Sequence, residues 1–440
     1  MLITIYVFMP YYVATVAASP VEGQALVASA GQIAGWLVAL TAPLLGLVVD
    51  RMGPRKPMLA FTVLLMLPMH WALWWVTPGG PIGPTAVLWL VAGGQLLFAW
   101  TEVFHNALLV PAAGQRAAQA SGLGLALGNF CSVLMLMFSL WAFSLPGSVE
   151  WAWVPSAPLF GIDPASYEPA RLMGPVVAVS LAIGLAIIFL GVPDVNPTGE
   201  RLRSALSKAL GDLKAMVGEL KREKQASRFL LARMLYADGK TAILLFGGVL
   251  AAGTMGWETL EMLAYGIILS IFAVFGGLFA GWLDPRIGPK PAVLLEIGLT
   301  AIALLGMLLT SPQQIIGLPF DPDGRPPLWG GPMFTTWPEL AFIAIACLAA
   351  IAITAAYASS RTLLTYLVRP ERTGSFFGLY ALSGTATMWL GPMLVAWGTL
   401  ATQSQQGGFA GVFLLLGAGF AVLLSVNAPR RLPIWNKARD

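Results

Sequence analysis

A few ionisable side chains interrupt long apolar segments of this sequence, where a charge is costly and therefore a functional candidate. Glu102 and His105 lie three residues apart in the apolar segment 86–110, on one face of a predicted helix. Once buried, a carboxyl group and an imidazole can both exchange protons in the working pH range. We therefore predict that this pair holds and passes a proton. The alternative is a buried pair that only ties helices together.

The apolar segment 229–253 carries a second group of charged side chains. Tyr236 and Lys240 are four residues apart and share a helix face, whereas Asp238 points about 160° away from either of them by helix geometry. One charge is therefore expected to face a central cavity while the other pairs with a neighbouring helix. We favour Asp238 as the cavity-facing contact, with a structural interhelix pair as the alternative. Arg233, nearer the end of the segment, is expected to extend towards the membrane surface.

Four further polar or aromatic residues complete the candidate set for substrate binding or gating, namely Asn106, Tyr357, Arg361 and Tyr380. The two tyrosines either pack within a helix bundle or stack on a ligand. Arg361 falls towards the end of its apolar segment, where a gate or a loop anchor is the favoured interpretation over direct contact with a substrate.

The usual sequence patterns of hydrolases, metalloproteases and nucleotide-binding proteins are missing. The sequence contains no G-x-x-x-x-G-K-[ST], no H-E-x-x-H and no G-x-S-x-G pattern. Its two histidines and two cysteines, Cys131 and Cys347, do not suggest a metal cluster or a disulfide framework. We therefore expect a protein that is not an enzyme and that uses no metal and no cofactor.

The composition requires lipid around the chain. Of the 440 residues, 57% are hydrophobic and only 10% are charged, far from the balance of a soluble domain. Apolar stretches long enough to cross a bilayer flank a polar gap at 194–228, six on each side. Their approximate bounds are 2–19, 28–49, 58–76, 86–110, 121–145 and 173–193, then 229–253, 260–283, 291–310, 338–365, 376–400 and 408–427. The pattern predicts an all-α membrane protein built from two six-helix bundles.

Basic residues collect on one side of the predicted spans. Of the 25 lysines and arginines, 21 fall in the loops and tail that share a side with the gap, and only Arg171 and Arg325 fall opposite. We call the first side the basic face and the second the outer face. The positive-inside rule predicts that the basic face, with both termini, is cytoplasmic. We expect a multi-pass protein of the bacterial inner membrane, without a nucleic-acid partner.

The polar gap contains apolar residues at helical spacing. They are Leu202, Leu206, Leu210, Leu213, Met216, Val217 and Leu220, with basic residues off that stripe. The spacing predicts an amphipathic helix lying on an anionic inner leaflet. An equally favoured alternative is a helix packed on the cytoplasmic face of the two bundles.

The stretch from Gly46 to Lys56 reads G-L-V-V-D-R-M-G-P-R-K. This G-x-x-x-D-R-x-G-x-R-K pattern resembles the loop 2–3 signature, motif A, of the major facilitator superfamily. The resemblance implies a twelve-helix fold of two bundles related by a pseudo-twofold repeat, with the motif controlling the conformational cycle. The motif residues are Gly46, Asp50, Arg51, Gly53, Arg55 and Lys56, and a weaker repeat carries Asp284, Arg286, Gly288 and Lys290.

Three further tracts resemble one branch of that superfamily, the "Unknown Major Facilitator" family, which is related to fungal vacuolar amino-acid effluxers linked to autophagy. The tracts are 104–109 with 121–128, then 236–239, and then 376–384 with Gly391 and Pro392. The sequence departs from the family pattern at His105, Ala237 and Thr385, where the family usually has Tyr, Asn and Lys. These changes affect the inferred substrate more than the fold.

Glycines at close-packing spacing occur in the predicted fifth and eighth spans. They are Gly122, Gly124, Gly128, Gly277 and Gly281. We interpret them as surfaces on which helices slide when the bundles rock.

Together these features predict a secondary active transporter that works by alternating access. It would consist of an N-terminal bundle (1–193), a cytoplasmic linker (194–228), a C-terminal bundle (229–427) and a cytoplasmic tail (428–440), and we expect a monomer. Export of a small polar solute is the leading hypothesis, with amino acids as one candidate class and protons or another ion as the coupling partner. The second hypothesis is a non-transporting membrane scaffold or assembly factor. A cavity plugged by bulky side chains would favour the scaffold.

Overall fold

The computed structural model describes residues 4–113, 117–220, 223–321, 325–368 and 373–429, and most of these are helical. The first half forms α1 (Thr4–Val16), α2 (Pro20–Met52), α3 (Lys56–Ala72), α4 (Pro84–Ala113), α5 (Ala117–Ser139) and α6 (Met173–Gly191). Helix α1 includes π-helical turns at Thr4–Phe8 and Tyr12–Val16, and α5 continues as one at Leu140–Ser144. Short helical turns lie at Leu73–Trp75, Leu159–Gly161, Pro164–Ser166 and Glu168–Arg171.

A linker helix, α7 (Leu202–Glu219), joins the two halves. The second half forms α8 (Lys224–Met255), α9 (Thr259–Ile287), α10 (Pro289–Leu308), α11 (Trp337–Leu367), α12 (Thr373–Thr385), α13 (Leu390–Thr402) and α14 (Ala410–Leu424). A 3-10 turn at Gly407–Phe409 precedes α14. Two strands of two residues each, β1 (Gln314–Ile315) and β2 (Leu318–Pro319), form a small antiparallel hairpin between α10 and α11.

Each of the twelve predicted apolar stretches falls on helical structure. Among the described residues, ten helices are long and apolar enough to cross a membrane, and Thr4–Val16 and Phe130–Ser144 are shorter apolar helices. The chain is therefore an all-α, multi-pass membrane protein. The predicted span at 376–400 is divided into α12 and α13. Pro392 near the break has no N–H to donate to a carbonyl one turn earlier, which weakens helical hydrogen bonding at this point.

Helix α2 begins earlier than its apolar stretch predicts. It starts at Pro20 rather than near residue 28, because Ser19 caps it by accepting a hydrogen bond from the backbone N–H of Glu22 at 3.2 Å. Serine is a favoured N-cap, and proline in the first turn loses no helical hydrogen bond. Hydropathy alone misses this polar first turn.

The two halves meet through α2 and α13 towards the outer face. The indole rings of Trp36 and Trp389 stack with their centroids 3.9 Å apart. The amide of Gln24 donates to the hydroxyl of Thr399 at 2.7 Å. Gly35 lies so close to the backbone of Trp389 that a Cβ there would be 2.5 Å from its nearest atoms. This glycine is thus required for close approach of the two halves.

The glycines predicted to form sliding surfaces are not packed in this conformation. A Cβ placed on Gly124, Gly128, Gly277 or Gly281 would meet no described atom within 4 Å, so these positions make no close contact in this conformation and the sliding role stays a prediction. The surroundings of Gly122 lie outside the described residues. Small-residue spacing marks a surface that permits close approach, but it does not say in which conformation the approach is made.

The linker helix α7 has two faces. Ala205 and Ala209 are fully buried in a cluster with Val48 of α2, whereas Leu202 and Leu210 are exposed. The packing on α2 agrees with the alternative of a helix packed on the bundles, and contact with an anionic leaflet stays a prediction. The alanine face of α7 packs on α2. Of the apolar stripe, Leu202, Leu206, Leu210 and Val217 are exposed, whereas Met216 and Leu220 pack against the main core. The predicted tail lies, from residue 430 on, outside the described part of the chain.

Candidate functional site

The loop between α2 and α3 is held by an ion pair within the motif. Arg55 Nη2 lies 2.9 Å from Asp50 Oδ1, and Arg55 Nη1 donates to the Gly53 carbonyl at 2.8 Å. Gly53 has a φ of 102°, a left-handed conformation that side chains disfavour, and a Cβ there would be 2.3 Å from the Asn196 carbonyl. Charge pairing and glycine geometry together fix this loop.

The start of the linker clamps the same loop. The carboxylate of Asp194 accepts hydrogen bonds from the backbone N–H groups of Arg55 at 2.9 Å and Lys56 at 3.1 Å. These groups belong to the first turn of α3, where helix N–H groups lack helical partners, so Asp194 caps α3 from a distance of 138 residues in sequence. Arg51 forms an ion pair with Asp212 of α7.

A second ion pair lies within the linker, outside the membrane-spanning segments. Lys208 of α7 forms an ion pair with Glu200 at 2.7 Å, and Ser204 donates to the same carboxylate at 2.8 Å. These hydrogen bonds hold the pKa of Glu200 below its usual range. The motif of the first half thus contacts the linker helix directly.

A cavity of about 460 Å³ lies within the N-terminal half between α3, α4, α5 and α6. Glu102 and His105 of α4 both line it, as the sequence predicts for residues one turn apart on one helix face. Ser132 of α5 and Ser180 of α6 add hydroxyl groups to a wall that is otherwise mostly apolar. Asn106 is exposed but is not among the lining residues. Among the described residues, no ion pair joins Glu102 to His105.

Arg233 is buried in the C-terminal half, which corrects the expectation that it extends to the membrane surface. Its Nη1 donates to the Tyr380 carbonyl and to the Ser383 hydroxyl, each at 2.6 Å. The guanidinium carbon lies 3.5 Å from the centroid of the Tyr380 ring. These contacts join α8 to α12, because the delocalised guanidinium can stack and donate at once.

Tyr236 and Lys240 face α11, as their shared helix face predicts. The Tyr236 hydroxyl lies 2.7 Å from the Ser360 hydroxyl. Lys240 Nζ lies 3.9 Å from the centroid of the Tyr357 ring and 5.2 Å from that of Tyr236. The structure therefore places two of the predicted substrate or gating residues, Tyr236 and Tyr357, beside the buried ammonium group of a third, Lys240.

Asp238 turns to a different helix. It is buried, and its Oδ2 accepts a hydrogen bond from the backbone N–H of Gly391 at 2.8 Å. This contact joins α8 to α13, so its geometry matches the interhelix alternative rather than an open cavity-facing position. The other carboxylate oxygen, Oδ1, has no hydrogen-bond partner among the described residues.

The sequence reasoning missed Glu296. This residue of α10 is fully buried, and its Oε1 accepts from the Ser359 hydroxyl at 2.8 Å. The signal was available, because Glu296 interrupts the apolar segment 291–310 just as Glu102 interrupts its own. Arg361, which directly follows the buried Ser359 and Ser360 of α11, is exposed.

The repeat of the motif does not reproduce the first network. Arg286 donates to the Trp282 carbonyl at 2.6 Å and Lys290 donates to the Leu424 carbonyl at 3.0 Å. Gly288 has a φ of 89° and ends α9. Among the described residues, Asp284 forms no ion pair with a basic residue, and its buried Oδ1 has no hydrogen-bond partner.

Comparison with known proteins identifies one matching family and a set of solved structures with a similar fold. A family model described as "Vacuole effluxer Atg22 like" matches residues 13–433. A crystal structure of a mutant of the nucleoside transporter NupG superposes with a TM-score of 0.63 at 14% identity, covering 97% of this chain and 94% of that one. The xylose transporter XylE from E. coli, in a partially occluded inward open conformation, gives a TM-score of 0.58 at 13% identity, covering 100% and 96%.

A bacterial homolog of the human lysosomal transporter Spinster, inward-facing and occupied, gives a TM-score of 0.52 at 12% identity, covering 92% of this chain and 95% of that one. No curated protein matches the sequence. At these identities the likeness to solved structures is one of fold, and it is the fold of major facilitator transporters.

Proposed function

The chain belongs to the Atg22-like vacuole effluxer family and is a membrane transporter of the major facilitator type, and from this premise we propose that it exports a small polar solute by alternating access. Amino acids are the favoured class, because the sequence resembles vacuolar amino-acid effluxers. The two halves, 1–193 and 229–427, rock about their contact at α2 and α13, and the linker 194–228 joins them.

The cavity in the N-terminal half carries this proposal. Its volume of about 460 Å³ is within the range of small-molecule sites, and Glu102, His105, Ser132 and Ser180 supply polar groups. A scaffold has no need of an unfilled cavity of this size with ionisable side chains in its wall, so the observation supports transport over the alternative of an assembly factor.

We assign proton coupling to Glu102, with His105 as its neighbour on the same wall. A carboxyl group that lines a cavity can exchange protons with the solution on whichever side of the membrane the cavity is open. Both residues are exposed to the cavity rather than locked in a pair, which suits groups that must gain and lose a proton in each cycle.

The remaining candidate residues serve as substrate or gating contacts in this proposal. Tyr236, Lys240 and Tyr357 form one group between α8 and α11. Arg233 of α8 contacts Tyr380 of α12, and Asp238 of α8 contacts Gly391 of α13. Both contacts change if α8 moves relative to α12 and α13. Asn106 and Arg361 are exposed and free to contact a solute. Asp50 and its motif partners lock the two bundles together on the cytoplasmic side.

We further propose a setting in the bacterial inner membrane with both termini cytoplasmic. The excess of basic residues on the basic face supports this orientation. The exposed leucines of α7, flanked by lysine and arginine, suit contact with an anionic inner leaflet. The working unit is a monomer, because one chain contains both halves.

Proteoliposomes supplied with external radiolabelled amino acids test the proposal. The wild-type protein should accumulate label when a pH gradient is imposed and should exchange label without one. Glu102→Gln should abolish pH-driven accumulation and leave exchange intact, whereas Glu150→Gln, at an exposed site in an outer loop, should change neither. If pH-driven accumulation survives in the Glu102 variant, another group or another ion provides the coupling.

A further inference from the structure

Another cavity, of about 240 Å³, lies between the two halves at the outer face. It forms where the end of α1 meets the turn that leads from α8 to α9, and Tyr167 from the loop between α5 and α6 also borders it. Helix α8 begins beside the basic linker, so its end lies at the opposite face. The cavity is smaller than the pockets of about 300–1,000 Å³ that enclose drug-sized ligands, and it therefore suits a smaller solute.

Three aromatic residues form part of the wall of this cavity. Tyr11 and Tyr167 belong to the first half, and their ring centroids are 5.6 Å apart. Trp257 follows α8 in the second half, and its indole N–H donates to the carboxylate of Glu339 at 2.9 Å, which fixes the ring. The face of an aromatic ring carries partial negative charge, so these walls favour a cation.

The hydroxyl groups of α1 at this cavity already donate to other partners. The Tyr11 hydroxyl donates to the Val76 carbonyl at 3.0 Å, and the Thr15 hydroxyl donates to the Tyr11 carbonyl at 2.6 Å. A hydroxyl has a single hydrogen to donate, so these two groups can offer a ligand only their lone pairs. Thr259 adds one further hydroxyl to the wall. The lining is therefore better suited to a donor or a cation than to an anion.

The charge at this cavity is negative. Among the described residues that line it, Glu258 is the sole charged side chain. Glu258 and Glu261 form the capping box of α9, in which each carboxylate accepts from the backbone N–H of the other residue, so the positive start of the helix is already satisfied. Arg171, one turn from Tyr167, donates through Nε to the Trp74 carbonyl at 2.8 Å and does not line the cavity.

We propose that this cavity binds the ammonium group of the transported solute, with the three aromatic rings as its walls and Glu258 as the countercharge. The inference rests on the proposed export of a small polar solute, and it narrows the class to solutes that carry an ammonium group. Because both halves supply walls, the complete site exists only while the halves meet at the outer face. Binding of the ammonium group therefore favours the conformation described above.

Thiol protection on the purified full-length protein tests the site without any transport. Ala14 is exposed and lines the cavity, so Ala14→Cys, in a variant in which Cys131 and Cys347 are replaced by alanine, should react with a maleimide. Choline, a probe with a quaternary ammonium group, should slow this reaction. Dimethylbutanol, the uncharged carbon isostere of choline, should leave the rate unchanged, and so should sodium chloride at the same concentration.

Variants of the wall should weaken the protection. Tyr167→Leu should raise the choline concentration for half protection by about 2–30-fold, the range of one cation–π contact, and Tyr167→Phe is the matched control because it keeps the ring. Glu258→Gln should raise that concentration by about two- to fivefold. Glu22→Gln, which changes an exposed carboxylate in the first turn of α2 outside the cavity, should leave it unchanged.

If Tyr167→Leu fails to fold, the contrast between Glu258→Gln and Glu22→Gln decides the question. Equal protection by choline and dimethylbutanol, or equal half-protection values in the two glutamine variants, overturns the ammonium site. Flux of an amino acid without protection by choline refutes this site but not transport, whereas protection by choline without flux refutes the proposed transport but not the site.

Discussion

Replacing Gly35 with alanine should shift the protein away from the conformation described above. Gly35 of α2 faces the backbone of Trp389, which belongs to the other half. An alanine Cβ would lie 2.5 Å from the Trp389 N and Cα atoms, closer than real Cβ contacts allow, and backbone cannot give way as a flexible side chain can. The clash exists only while the two halves touch here, so it penalises the state that is closed at the outer face.

The size of the shift follows from the cost of overpacking. One extra carbon in a tight contact costs about 1–3 kcal/mol. Because the opposite state loses this contact, the whole cost appears as a change in the equilibrium between the two states, roughly 5–150-fold. When the two halves separate at this contact, the stacked rings of Trp36 and Trp389 also come apart.

Electron paramagnetic resonance can measure the shift as a distance distribution. Spin labels at Thr85→Cys and Ala401→Cys, two exposed positions at the outer face on different halves, should show mainly the short distance in the wild-type background. Gly35→Ala should increase the population at a longer distance. Gly417→Ala is the control, since its Cβ would meet no atom within 4 Å. Identical distributions in the two variants would refute the idea that this contact closes the outer face.

Three other expectations concern the basic face and the motif. Asp194→Ala should lower the free energy of unfolding by about 1–2 kcal/mol in thermal melts, because two N–H groups at the start of α3 lose their cap. Asp50→Asn should slow solute exchange while costing at most about 1 kcal/mol of stability, because the ion pair of Asp50 with Arg55 is partly exposed; unchanged turnover would contradict its role. In a thiol-free variant, an impermeant reagent applied to intact cells should label Arg325→Cys and spare Leu206→Cys, and the reverse pattern would overturn the orientation.

Much of the fold could be predicted because membrane helices have a strong local signal. A bilayer requires about 20 apolar residues per helix whatever the helix packs against, so the predicted stretches coincide with helical structure. Motif A was recognisable because its charges and its Gly53 lie next to one another in sequence.

The contacts that the sequence did not predict are long-range. The cap that Asp194 provides for α3 joins residues 138 positions apart, and an aspartate in a polar gap has no local feature that marks such a role. The burial of Arg233 depends on Tyr380 and Ser383, which lie about 150 residues away. Asp238 could be assigned an orientation relative to Lys240 by helix geometry, but its partner helix follows from tertiary packing alone.

The central claim is that solute and proton move together through this protein. A purified preparation in proteoliposomes that contain a pH indicator allows both fluxes to be recorded in the same vesicles, with no imposed gradient at the start. Addition of a transported amino acid should change the internal pH at the rate at which the label crosses, and Glu102→Gln should remove the pH change while exchange of label continues. Transport of label with a constant internal pH in the wild-type protein would contradict the account.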